Sequence, residues 1–248
     1  MNYKLATSTW DEKELEAIQS VIDKDMYTMG DSVREFENDF SEYLNSKYCV
    51  MVSSGSTANL LAVAALFFTK NPMLKRGDEV IVPAVSWSTT YFPLQQYGLK
   101  VKFVDIDRET LNIDLAKLEV AITEKTKAFL PVHYTGYMTD MRVMNQLAEK
   151  YNIPVIEDAC QSILGAIDGR NAGTWGKTGA FSLHPLKNIN VWSDGGVIVT
   201  DDDEIYKKLR LLRNHGFENR DTVVMMGCNS RLDTIQAVVG NWILPQAK

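Results

Sequence analysis

Residues 10–24, WDEKELEAIQSVIDK, place Leu15, Ile18, Val21 and Ile22 on one face at helical spacing, which predicts an amphipathic helix. After a turn at Gly30, Val33, Phe36, Phe40 and Leu44 repeat in the same way, and Ser32 is placed to cap that second helix. From residue 48 the pattern alternates. The runs YCVMVSS, EVIVPA, KVKFVDID, KAFLPVHY and IPVIEDA read as strands. Between them, GSTANLLAVAALFF, STTYFPLQQYG, DLAKLEVAITEK and MRVMNQLAEKYN read as helices. Two further strands, GAFSL and GGVIVT, are followed by the helices DEIYKKLRLLRNHG and RLDTIQAVVGNWIL. Several strands are unbroken apolar runs. Such strands are buried on both faces, as in a parallel sheet covered by helices. The expectation is an α/β fold of three layers, α/β/α, around a mostly parallel central sheet. In open sheets of this class ligands gather at the carboxyl ends of the strands, so chemistry is sought just after each strand.

Four strand ends carry candidate groups. In SSGSTANLL, a strand gives way to a helix through Gly55, Ser56 and Thr57. The open amides and dipole of such a helix start suit a phosphate, and a plain helix cap is the competing reading. The stretch is neither a Walker A loop nor a GxGxxG fingerprint, which removes the case for a nicotinamide-dinucleotide domain. In VIEDACQS, Glu157 and Asp158 end an apolar run. Asp158 could pair with a cationic ring nitrogen or cap a following helix, with Gln161 one helical turn on. In AVSWSTTYFP, Trp87 could stack on a flat cofactor, although core packing is the commoner use of such a residue. In FSLHPLKNINVWSDGG, Lys187 lies between two apolar runs. It could be a buried nucleophilic amine or a loop lysine with its tip in water. His133, Tyr134 and Tyr137 follow another strand, with no Ser or Cys nucleophile visibly paired to the histidine.

Bulk properties narrow the field. A net charge of −6 argues against non-specific nucleic-acid binding, which needs a basic surface. Cys49, Cys160 and Cys228 are odd in number and far apart, so neither a disulfide framework nor a zinc site is suggested. The three histidines fall in separate segments, so no metal is expected. The apolar run from Leu60 to Phe68 is too short to span a bilayer, and the N-terminus lacks a signal-peptide pattern. A cytoplasmic location is expected. A phosphate cradle, an aromatic plate, a carboxylate and a lysine together are what one cofactor needs: pyridoxal 5′-phosphate (PLP).

The ordered set YTMGDSVREFENDFSEYL, SSGSTANLLAVAAL, DEVIVPAVSWSTT, VKFVDID, PVHYTGYMTDM, VIEDACQSILG, GAFSLHPLKN, DGGVIVT, RLLRNHG and GCNSRLDTIQA resembles the DegT/DnrJ/EryC1/StrS sugar aminotransferases of PLP fold type I. The resemblance implies the following roles. Lys187 binds the cofactor aldehyde and moves protons on the substrate, and Asp158 keeps the ring nitrogen protonated. Gln161 touches the ring hydroxyl and Trp87 stacks on the ring. Gly55, Ser56, Thr57 and Ser182 hold the phosphate. Asn229, in CNSR, reaches a partner subunit's cofactor, which implies a homodimer with shared active sites. The implied reaction moves an amino group from an amino acid, with L-glutamate the expected donor, to a nucleotide-linked keto sugar. The alternatives are a sugar dehydratase of the same family, which carries histidine in place of the lysine, and a non-catalytic regulatory homologue. The resemblance further implies an N-terminal segment over 1–30, a PLP-binding large domain over 31–248, and a missing C-terminal small-domain segment. One departure is Asp194, in NVWSDGG, where glutamate is commoner.

Overall fold

The structure, a computed structural model, describes residues 11–247. The readings placed on residues 1–10 lie outside them. Helix α1 (Glu12–Lys24) starts in a capping box formed by Asp11 and Glu14. Only part of its expected apolar stripe is covered. Val21 is buried, but Leu15 and Ile22 are 59% and 51% exposed. The reason is position: α1 packs chiefly against one element, α8 (Thr234–Ile243), at the margin of the fold. Helix α2 (Asp31–Leu44) begins earlier than expected, with Gly30 rather than Ser32 as its N-cap. Asp31 then sits in the first turn, where an acidic side chain complements the helix dipole.

The remaining elements follow in chain order. They are β1 (Tyr48–Val52), α3 (Gly55–Ala65), β2 (Glu79–Pro83), α4 (Ser88–Gln96), β3 (Lys100–Val104), α5 (Leu115–Ala121) and β4 (Thr126–Phe129). Next come α6 (Met141–Tyr151), β5 (Ile156–Asp158), β6 (Ala166–Ile167), β7 (Arg170–Asn171), β8 (Thr178–Ser182) and β9 (Gly196–Thr200). Helix α7 (Asp203–Arg213) and the strands β10 (Phe217–Asn219) and β11 (Thr222–Val223) precede α8. The strands pair in the orders β3-β2-β4 and β5-β8-β9-β1. Parallel bridges from Phe129 to Val155 and from Val132 to Asp158 join the two sets into one sheet. Strand β9 runs antiparallel to both its neighbours, and the other contacts are parallel.

Successive strand residues point to opposite faces, so each strand feeds two cores. Met51, Ile81, Phe129, Phe181 and Val197 pack with α2 and α6. Val50, Val80, Ala128, Ala180 and Ile198 pack with α3 and α7. This is the three-layer arrangement that the apolar runs implied. On the first face Phe40 meets Phe181 edge to face at 5.8 Å, and both rings are fully buried. Such a buried aromatic stabilises by about 3–5 kcal/mol relative to alanine.

Strand β1 is an outer strand, and its open edge is closed from within. Glu37 of α2 accepts the Met51 amide at 2.9 Å. Arg213, at the end of α7, donates to the Met51 carbonyl at 2.8 Å and to the Glu37 carboxylate. A bare edge would invite pairing with another chain, and here a buried ion pair occupies it.

Candidate active site

Four strand ends converge as expected. A cavity of about 340 Å³ is lined by Gly55, Ser56, Trp87, Asp158, Gln161 and Lys187, with Ser182, His184 and Asp194 beside them. Larger hollows of about 720 and 710 Å³ open elsewhere on the surface. Neither lies at the glycine-led helix start, so the smaller cavity is the one with the right chemistry.

The phosphate end is built first. Ser54 caps α3 by accepting from the Thr57 amide at 3.2 Å, and the Thr57 hydroxyl accepts from the Ser54 amide at 3.0 Å. The Thr57 side chain is thereby occupied in the cap and does not line the cavity. The amides of Gly55 and Ser56 have no acceptor within the helix and remain the open donors of the first turn. Two glycines allow this close assembly. A methyl on Gly55 would fall 2.6 Å from Ser182 Cβ, and one on Gly196 would fall 2.2 Å from the Ser54 carbonyl oxygen. Gly196→Ala is therefore expected to lower the melting temperature, at a cost of about 1–3 kcal/mol from overpacking. It should also blunt the added stability that PLP gives. Thermal melts with and without PLP check both effects.

Asp158 ends β5 and is 4% exposed. Its Oδ2 accepts from Asn59 Nδ2 at 2.9 Å and from Thr90 Oγ1 at 2.7 Å. Its Oδ1 accepts the Cys160 amide at 3.2 Å. The expected helical turn from Asp158 to Gln161 is absent, because residues 159–164 form successive turns. The sheet takes the backbone instead: the Ala159 amide donates to the Ala180 carbonyl at 2.9 Å. Ser162 donates to the His133 carbonyl at 2.7 Å. Gln161 still reaches the cavity, with Oε1 held by the Thr135 amide at 2.8 Å. Thr135 has a left-handed backbone, φ 53°, a strained state for a β-branched residue that such a fixed loop sustains.

Trp87 is not core. It is 70% exposed at the N-terminus of α4 while lining the cavity, which is where a stacking plate would stand. Lys187 is half-buried in the loop after β8, and its ammonium makes no hydrogen bond or ion pair among the described residues. Burial, then the charge of Asp158, pushes the Cys160 thiol well up, and Lys187 opposes them. Cys160 is thus a neutral thiol rather than a nucleophile. Burial pushes the Tyr91 hydroxyl up to about 12, with Ser86 opposing and Asp158 adding to the rise. Asn229 is exposed and lies outside the cavity of its own chain.

His133 and Glu157 are fully buried. Nδ1 of His133 accepts the Thr139 amide at 3.3 Å, so Nε2 carries the proton and donates to Glu157 at 2.9 Å. Glu157 also accepts the amides of Gly173, Trp175 and Gly176. The pair thus anchors the strand that carries Asp158 and takes no place in the cavity.

The sequence reading missed Asn59 and Thr90. Their signal was present: Asn59 is a polar residue inside an apolar helix, one turn after Gly55.

The sequence profile described as the DegT/DnrJ/EryC1/StrS aminotransferase family matches residues 8–248. The chain belongs to that family. A GDP-4-keto-6-deoxy-D-mannose 3-dehydratase of Yersinia pseudotuberculosis is 58% identical over 217 residues, 88% of this chain and 55% of the relative. A UDP-2-acetamido-2-deoxy-3-oxo-D-glucuronate aminotransferase of Pseudomonas aeruginosa is 36% identical over 90% of this chain and 60% of its own length. The crystal structure of the E. coli GDP-4-keto-6-deoxy-D-mannose-3-dehydratase with bound hydrated PLP superposes with a TM-score of 0.95 at 47% identity. The match covers 99% of this chain and 69% of that one. The chain therefore spans little more than half the length of the first curated relatives it matches.

The DegT/DnrJ/EryC1/StrS fold is the PLP fold type I, and its cofactor is PLP. The residues of this chain fit that cofactor. Open amides at the positive end of α3 suit its phosphate. Asp158 keeps acceptor capacity on Oδ1, and the buried Asn59 Oδ1 has no hydrogen-bond partner among the described residues. Among the described residues no helix is long and apolar enough to cross a membrane.

Proposed function

We propose that the full-length protein uses PLP to act on a GDP-linked 4-keto-6-deoxy hexose, and that its reaction is removal of the sugar's 3-hydroxyl. The observation that carries this reading is the identity of 58% and 54% to two 3-dehydratases of that substrate class. It is the alternative drawn from the sequence, and the comparisons support it better than aminotransfer. PLP supplies an electron sink for a carbanion. The chain's own residues do the rest under this reading. Gly55, Ser56 and Ser182 hold the phosphate, Asp158 holds the ring-nitrogen proton, and Trp87 covers the ring. Lys187 Nζ moves the substrate proton.

A second reading, aminotransfer to the same class of sugar, is favoured by one specific observation. Lys187 stands in the cavity, whereas the family resemblance implies histidine at the matching place in its dehydratases. The relatives at 35–37% identity include several nucleotide-sugar aminotransferases. Both readings use glutamate as amino donor, and a solved dehydratase neighbour holds PLP joined to glutamate. They differ in the sugar. Dehydration breaks its carbon–oxygen bond and releases water; the nitrogen leaves as ammonia and glutamate leaves as 2-oxoglutarate, supplying the two electrons that the deoxy sugar gains. Aminotransfer leaves the nitrogen in the product.

Mass spectrometry of the sugar after incubation with PLP, L-glutamate and the GDP-linked keto sugar separates them. Loss of the 3-hydroxyl without retained nitrogen supports dehydration. A product that gains ¹⁵N from labelled glutamate overturns it in favour of aminotransfer. PLP binding without any turnover points to the regulatory homologue.

A further inference from the structure

We propose that Asn59 and Thr90 are positioning residues of the cofactor site, a two-donor clamp that fixes the Asp158 carboxylate and reserves Oδ1 for the ligand. The inference rests on the reading of this cavity as the PLP site. Both side chains are buried, 2% and 1% exposed, and both donate to the same oxygen, Oδ2. Thr90 has one hydroxyl proton, and it goes to Asp158. Ser86 Oγ, 2.7 Å from Thr90 Oγ1, must therefore be the donor in that contact. A chain of donors thus runs from Ser86, at the cavity wall, through Thr90 to the carboxylate. Any rotation of Asp158 that brought Oδ2 to the cavity would break two buried hydrogen bonds.

The clamp also sets a length. Asn59 lies one turn along α3 from Gly55 and Ser56, whose amides form the phosphate cradle. One rigid helix therefore carries the phosphate donors and half of the grip on the acid. A ligand that must reach both ends is measured against α3 itself. The orientation of the Asn59 amide follows as well. Its nitrogen faces Asp158, and the reverse would set two oxygens together. Its Oδ1 is consequently the atom left without a donor among the described residues, in a residue that lines the cavity.

The test uses full-length apo-protein and the variants Thr90→Val, Thr90→Ser and Asn59→Leu. PLP affinity is read by titration, and the pH dependence of the bound cofactor's visible spectrum is read alongside. Inorganic phosphate, which needs the cradle alone, serves as the probe of general damage. Thr90→Val and Asn59→Leu are each expected to weaken PLP by about ten- to a hundredfold, the size of one hydrogen bond to a charged group. They should also shift the spectral pH profile. Thr90→Ser should lie within about threefold of the wild type, since it restores the donor. Stabilisation by phosphate should be unchanged in all three. Wild-type PLP affinity and pH profile in both Thr90→Val and Asn59→Leu would overturn the clamp, as would a Thr90→Ser variant no better than Thr90→Val. A wild-type protein that binds phosphate but not PLP overturns the assignment of the cavity itself, and the clamp falls with it.

Discussion

Lys187→Ala is expected to abolish the borohydride-fixed attachment of PLP and to lower turnover by about 10²–10⁴-fold, the usual worth of a positioned acid–base group. The structure gives the reason for so large a loss from one amine. The loop that carries Lys187 is tied at both ends. The Leu183 amide donates to the Gly195 carbonyl at 2.8 Å and the Val191 amide to the Leu183 carbonyl at 3.2 Å. Within it the Lys187 amide closes a turn on the His184 carbonyl at 2.8 Å. The amine is thus held at the cavity by its backbone and, among the described residues, by no partner of its own. A lysine bound to a carboxylate would have to break an ion pair before reacting. Lys187→Arg should fail equally, because a guanidinium stays protonated and cannot act as a base. Peptide mass spectrometry after borohydride treatment checks the attachment, and the sugar assay checks the rate. A reduced adduct found on another lysine of a fully active Lys187→Ala protein would remove the basis of the site.

The second large effect concerns stability rather than chemistry. Glu37→Ala is expected to cost about 3–5 kcal/mol, measured by urea unfolding of the full-length protein. The loss has two parts. Arg213, 2% exposed, would keep its charge in the interior with no counter-ion. The Met51 amide would lose its acceptor on the open edge of β1. The converse is also expected. Glu37→Met combined with Arg213→Leu should lie within about 1–2 kcal/mol of the wild type, since it removes the buried charges together. The double variant exposes the β1 edge to other chains, so it should aggregate more readily even where it is stable. Equal destabilisation of the single and double variants would show that the pair holds β1 by something other than charge compensation.

The layers of this protein were legible in its sequence because burial on both faces leaves an unmistakable mark. Runs such as EVIVPA and GGVIVT have no polar face to show, so they are strands inside a covered sheet. The segments after those and similar runs drew attention to Gly55, Ser56, Asp158 and Lys187 as candidates for the same reason: past a strand's carboxyl end polar residues interrupt the apolar pattern. Ser182 came only from the family resemblance. Tertiary structure alone decided what holds Asp158. Asn59 and Thr90 are 99 and 68 residues away along the chain, and no local rule links a helix interior to a distant strand end. Periodicity likewise misjudged α1, whose stripe was read correctly as helical but whose exposed Leu15 and Ile22 depend on what stands opposite. A one-dimensional pattern records which side of an element is apolar. Which surface meets that side, and which hydrogen bonds aim a catalytic group, follow from packing between segments that the chain keeps far apart.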